Sequence, residues 1–115
     1  MNPEQFVNMI RQAVIDDNVA TYKDLFENTS IQDATDQYWI RALGLFHELS
    51  DEDKETFLKI IRQVSLDTIS SVFAIFDGVS CQDDIHGNFS LRFDSESDNL
   101  NGDLQDILLE LEEDA

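Results

Sequence analysis

Apolar residues recur three and four positions apart over most of this chain, the spacing that gathers them on one face of an α-helix. Asn2 followed by Pro3 reads as an N-cap with proline at the first helical position. Phe6, Ile10, Ala13, Val14 and Asp17 mark one face of the helix they open. A shorter second helix is predicted from Val19 to Asn28, with Tyr22, Leu25 and Phe26 inward and only a kink between it and the first. The polar break "NTSIQD" precedes a third helix, from about Asp33 to Leu49, whose inner face is Trp39, Ala42, Leu43, Phe46 and Leu49. Gly44 costs that helix roughly 1 kcal/mol relative to alanine, which suggests a close helix crossing there.

Ser50 opens the longest run. With Asp53 it resembles a capping box, and Asp51 and Glu52 suit the positive end of a helix. Phe57, Ile60, Ile61 and Val64 form a stripe, with Lys54, Lys59 and Arg62 outside. From Leu66 to Phe76 the pattern is apolar on most sides, so this half is expected to be the most buried helix. Phe57, Ile61, Val64, Val72, Phe73 and Phe76 are its expected core residues. Asp67, within it, is expected to pair with Arg41 or Arg62, or to cap a neighbour, rather than to act in catalysis. Gly78 is a plausible helix stop.

Beyond Gly78 the period changes from helix to strand. "NFSLRF", Asn88 to Phe93, alternates in twos, and Val79 to Cys81 is placed to pair with it as a small β-hairpin. "DSESDNLNGD" reads as a loop, with Asn101 placed to cap a final helix. In that helix Leu104, Ile107, Leu108 and Leu111 share a face, and Asp106, Glu110, Glu112, Glu113 and Asp114 lie opposite with no base among them. The expected fold is mainly α: a bundle-like domain of four to five helices with a small β-hairpin near the C-terminus. A chain of 115 residues has room for a single domain with one core. Positions 1–78 would be its helical part and 79–115 an acidic hairpin, loop and helix.

Charge changes the picture most. Twenty-five acids against seven bases give a net charge of −18. Positions 79–115 hold 11 of those acids and one base, Arg92, and so carry −10 of the total. Such a balance opposes attraction to nucleic acid or anionic lipid and favours a basic protein partner. Solubility alone, or adaptation to high salt, would explain the same composition. There is no apolar run long enough to span a membrane and no basic, then apolar, leader at the start. A lone cysteine, Cys81, fits a reducing compartment, so a cytoplasmic location is expected.

Candidate chemistry is sparse. Cys81 and His86 are the tempting nucleophile pair, but acidic neighbours raise a thiol's pKa, and no cysteine-hydrolase motif surrounds them. An incidental cysteine is the better reading. His47 reads as a surface or boundary histidine. No C-x-x-C or H-x-x-x-H spacing suggests zinc. Asp94, Glu96 and Asp98 have the odd-position carboxylates of a calcium loop, without its glycine at the sixth position or glutamate at the twelfth. No catalytic residue, metal or cofactor is therefore assigned. The candidate partner-binding residues are Asp83, Asp84, Asp94, Glu96, Asp98, Asp103, Asp106, Glu110, Glu112 and Glu113. Their bland alternative is a solvated acidic tail.

The stretch "WIRALGLFHELSDEDKETFLKIIRQVSLDTISSVFAIFDG" contains the pattern R-x-V-x-x-D-T-I and ends in [L/F]-D-G: Arg62, Val64, Asp67, Thr68, Ile69, Phe76, Asp77 and Gly78. In this it resembles small acidic bacterial proteins of the toxin-immunity or uncharacterised type. The resemblance covers about a third of the chain and transfers no functional residue. It implies a non-enzymatic protein that neutralises a basic partner, such as an immunity protein or antitoxin for a nuclease-like bacterial toxin. The alternatives are a nucleic-acid mimic that occupies the groove of a DNA-binding protein, a small regulatory domain, or a small enzyme using Cys81, His86 or the Asp94–Asp98 loop.

Overall fold

A computed structural model describes residues 1–79 and 87–114. Its elements are α1 (Pro3–Ile10), a wider π-helical segment (Arg11–Asp16), α2 (Asp17–Asn28), a 3₁₀ turn (Ile31–Asp33), α3 (Gln37–His47), α4 (Asp51–Phe76) and α5 (Leu104–Glu113). The domain is mainly helical, and no strand forms among the described residues.

Local chemistry sets most of the boundaries. Asn2 and Gln5 exchange reciprocal bonds of 2.8 and 3.0 Å, a full capping box ahead of Pro3. Asp36, not Asp33, caps α3 by accepting from the Tyr38 N–H, so the helix begins later than its periodicity suggests. Ser50 accepts from the Asp53 N–H and starts α4. At the other end Gly78 adopts φ +79°, the left-handed region that favours glycine. The Val79 N–H then reaches Ala74 O and the Gly78 N–H reaches Ile75 O, which together make a Schellman stop. No close helix crossing exists at Gly44, where a methyl group would meet nothing within 4 Å.

The first two helices join without a break. The π segment, with its i→i+5 turns, takes up one extra residue. Val7 and Phe26 are 19 positions apart, which leaves them about 100° out of phase on an α-helix. With one residue absorbed the spacing is five full turns, so Val7, Ile15 and Phe26 fall on one line. All three are buried. Straight helical counting therefore chose the wrong residues: Ala13 and Asp17 are exposed.

This N-terminal rod lies antiparallel to α4, with Val7 meeting Phe73 at one end and Phe26 meeting Phe57 at the other. α5 packs beside α1 and α4 at the first end; α3 folds back from α4 at the second. The single expected core is in fact two clusters. Val7, Ile15, Phe73, Leu104 and Leu108 form an aliphatic-rich one, and Phe26, Leu43 and Phe46 centre an aromatic one. The body is correspondingly long, 52 × 35 × 25 Å with a radius of gyration of 18.1 Å, against about 13 Å for a compact chain of this length.

Three further expectations are corrected. α4 is not the most buried helix: Phe73 and Ala74 are its buried residues, and Val64 and Val72 are exposed while Phe57, Ile61 and Phe76 are half-buried. Asp67 pairs with neither Arg41 nor Arg62, and accepts instead from Gln63 Nε2. The hairpin does not form over Asn88–Phe93, because those backbone groups are used elsewhere. Leu91 N–H donates to Asn101 Oδ1 at 2.8 Å, and Leu91 O accepts from the Leu100 N–H at 2.7 Å. Cys81, assigned to the other strand, lies outside the described residues.

Candidate functional site

The acidic C-terminal part is anchored by polar side chains that reach across the chain. Asp77, just past the end of α4, accepts from the N–H groups of Gly102, Leu104 and Gln105 at 2.7, 3.1 and 2.9 Å. A carboxylate at this position satisfies donors that a helix start leaves unpaired and suits its positive end. Asn101, expected to cap α5, instead donates to Phe76 O and Phe89 O and accepts from Leu91 N–H. It ties the loop to the end of α4. Gln105 adds bonds to Ser70.

Below this anchor Leu104 and Leu108 are fully buried and Ile107 and Leu111 pack at the margin, so the leucine stripe faces its own domain. The opposite side of α5 carries Asp106, Glu110, Glu113 and Asp114, all exposed. Glu112 does not belong with them. Its carboxylate accepts from Arg11 Nε at 3.0 Å and from both Arg62 terminal nitrogens at 3.1 and 2.9 Å, with only 16% of its side chain exposed. The Arg62 hydrogen bonds, with Arg11 behind them, hold the Glu112 carboxyl below its ordinary pKa despite the opposing effect of burial. The same contacts, foremost the bond to Glu112, push Arg62 up. Arg62 also reaches Asp16 at 3.3 Å. Glu112 is thus a clasp between the π segment, α4 and α5.

In the loop, Asp94, Glu96, Asp98 and Asp103 are exposed, and Glu96 receives the N-terminal ammonium of Met1 at 2.7 Å. Asp94 adopts φ +54°. Among the described residues no group of three or more His, Cys, Asp or Glu side chains is arranged to hold a metal ion, which includes the suggested calcium loop. Asp83, Asp84 and the Cys81–His86 pair lie outside the described residues. His47 sits 3.3 Å from Thr29 O at the α2–α3 connection.

Sequence reasoning missed a second surface. Phe26, Tyr38, Arg41, Ala42, Leu45 and Phe57 line an open groove of about 710 Å³ beside α3. Tyr38 and Leu45 are 69% and 57% exposed. Ile60 and Val64, one and two turns along α4 from Phe57, are 57% and 59% exposed. The signal was present in the pattern: α4 carries apolar residues on more faces than α1, α3 and α5 can cover.

Among the described residues no helix is long and apolar enough to cross a membrane. No family model, characterised protein or solved structure matches the chain.

Proposed function

We propose that this chain is a non-enzymatic acidic binding protein that neutralises a basic protein partner. The partner suggested by its chemistry is a nuclease-like toxin domain, whose nucleic-acid groove must be basic, and the chain would then act as its immunity protein or antitoxin. One observation carries the reading: Asp106, Glu110, Glu113 and Asp114 stand on the exposed side of a firmly anchored helix, and none has an ion-pair partner among the described residues. Asp94, Asp98 and Asp103 extend the same exposed negative charge into the loop. A face that served only to stabilise its own helix would interleave lysines, because like charges at i,i+4 are mildly destabilising. Complementary fields speed encounter and discourage wrong partners.

The test is association kinetics with the basic partner recovered by affinity capture. Asp106→Asn, Glu110→Gln and Glu113→Gln together should slow association markedly and leave dissociation less changed, with Glu112 kept intact because it holds the fold. Raising salt from low to physiological strength should act in the same direction, since screening shortens the field to about 8 Å. A rate indifferent to both changes would reduce this face to a solvated helix.

A further inference from the structure

The side of α4 turned away from α5 bears a lane that starts at the half-buried Phe57 and is exposed at Ile60, Val64, Ser71 and Ile75 among the described residues. At 100° per residue, Phe57, Ile60, Val64, Ser71 and Ile75 fall within an arc of roughly 80°. The residues that meet the aliphatic cluster, Leu66, Ile69, Phe73 and Phe76, lie on the other side of the same helix. The lane runs about 27 Å from Phe57 to Ile75, and at Phe57 it opens into the groove beside α3. Ile60 and Val64 on α4, with Tyr38 and Leu45 beside the groove, gather exposed apolar side chains at one end of the lane, and exposed apolar clusters of this kind mark interaction sites.

The charges along the lane select its occupant. Asp53 and Asp67 lie in the same arc as the apolar residues and are exposed, 14 positions and so about 21 Å apart. A second copy would bring the same carboxylates and another −18 of charge to the contact. A basic amphipathic helix meets both demands. Its apolar residues at i, i+3, i+4 and i+7 would fill the lane, and lysines or arginines at its margins would meet Asp53 and Asp67. Among the described residues Arg41 is the one cation lining the groove, so the end seated there presents a bulky apolar side chain beside Tyr38 and Leu45 rather than a base. We propose that the outward lane of α4 and its groove are the docking face for a basic amphipathic helix. The proposal rests on the basic-partner reading and adds a division of labour: the α5 acids draw the partner in, and the α4 lane holds it.

The probe is a synthetic amphipathic helix of about 20 residues with leucines at heptad spacing and lysines outside, beside a twin with glutamate for each lysine. Each is titrated into the full chain at physiological salt. Trp39, whose ring lies 5.3 Å from that of Tyr38 at the groove, reports binding by fluorescence. The lysine peptide should bind one to one, and the glutamate twin should not. Val64→Lys should weaken binding at least tenfold with helical content and thermal transition unchanged, whereas the same charge placed at exposed Gln12 should change it little. Equal loss from Val64→Lys and Gln12→Lys would overturn the lane and leave the basic-partner reading standing. Binding of the glutamate twin would overturn the charge argument, and no binding of the lysine peptide would overturn the docking face, while the association kinetics of the α5 variants still decide the basic-partner reading. A dimer in sedimentation equilibrium that Val64→Lys dissociates would give the lane to a second copy instead.

Discussion

At one end of α4, Val7 and Ile15 meet Leu104 and Leu108, so opposite ends of the chain close one cluster. At the other, Phe26, Leu43, Phe46 and Phe57 all lie between positions 26 and 57. The first end requires the closure of long loops, which opposes assembly until the contacts form. Polar bonds across large sequence separations reinforce it: Asp77 to the start of α5, Asn101 to the end of α4, and Glu112 to Arg11 and Arg62. The aromatic end closes through short connections and stacks its rings at 5.1 to 5.6 Å around Phe46. No salt bridge among the described residues ties it. The difference separates two tasks. The pinned end presents charge in a fixed arrangement, and the aromatic end leaves apolar surface open beside its cluster.

The largest effects should come from the two cluster centres. Phe46→Ala removes the ring shared by Phe26 and Phe57 and should cost about 3–5 kcal/mol; Leu108→Ala, in the other cluster, should cost about 2–5 kcal/mol. Chemical denaturation followed by amide exchange distinguishes the ends. Leu108→Ala should loosen α5 first and leave the near-ultraviolet signal of the aromatic cluster, whereas Phe46→Ala should lower protection along α4 as well. Identical exchange patterns from the two variants would erase the distinction drawn between the ends.

Smaller losses should follow from cutting the pins. Asp77→Ala strips the acceptor from the α5 start and should cost about 1–2 kcal/mol, as for other cap losses. Glu112→Gln should cost a similar amount, on the order of 1–2 kcal/mol, and its pH dependence has a fixed sign. Because Arg62 and Arg11 lower the Glu112 pKa in the folded state, its contribution is complete above the unfolded value and is lost as pH falls through the folded one. The stability gap between wild type and Glu112→Gln should therefore be level near neutrality and close in acid. Urea denaturation across a pH series checks it, and a gap that widened in acid would contradict the clasp.

The smallest effect belongs to the lane. Val64→Thr keeps the branched shape at a position 59% exposed and should change stability by no more than about 0.5 kcal/mol. A loss of several kcal/mol on thermal denaturation would mean that this face is covered in the free protein.

What could be read in the sequence was what short-range chemistry controls. The Asn2–Pro3 start, the Ser50 cap, the Gly78 stop and the inward Leu43 and Phe46 each depend on residues a few positions apart. The acids on the outward side of α5 were equally legible from helical spacing. What failed depends on partners far along the chain. Glu112 looks like its acidic neighbours until Arg11, 101 positions away, and Arg62 close on it. Asn101 looks like a cap, but Asp77 reaches the same N–H groups first. Val64 and Ile60 belong to a clean stripe, and periodicity shows that a face is apolar without showing what lies against it. The alternation in "NFSLRF" is genuine, but with Asn101 and Leu100 taking the Leu91 backbone groups it has no ladder to join.

The wide turn at Arg11–Asp16 works as a phase corrector for the N-terminal rod, and this gives the rod an uneven tolerance to changes in length. Excising one exposed residue inside that segment, Gln12 or Ala13, would return the backbone to ordinary i→i+4 bonding and leave Val7 and Phe26 on their shared line. Excising one from α2, at exposed Ala20, would swing Phe26 by about 100° away from the aromatic cluster. The rod therefore carries its spare residue at the only place between its two anchoring side chains where the loss of one would go unnoticed at both ends.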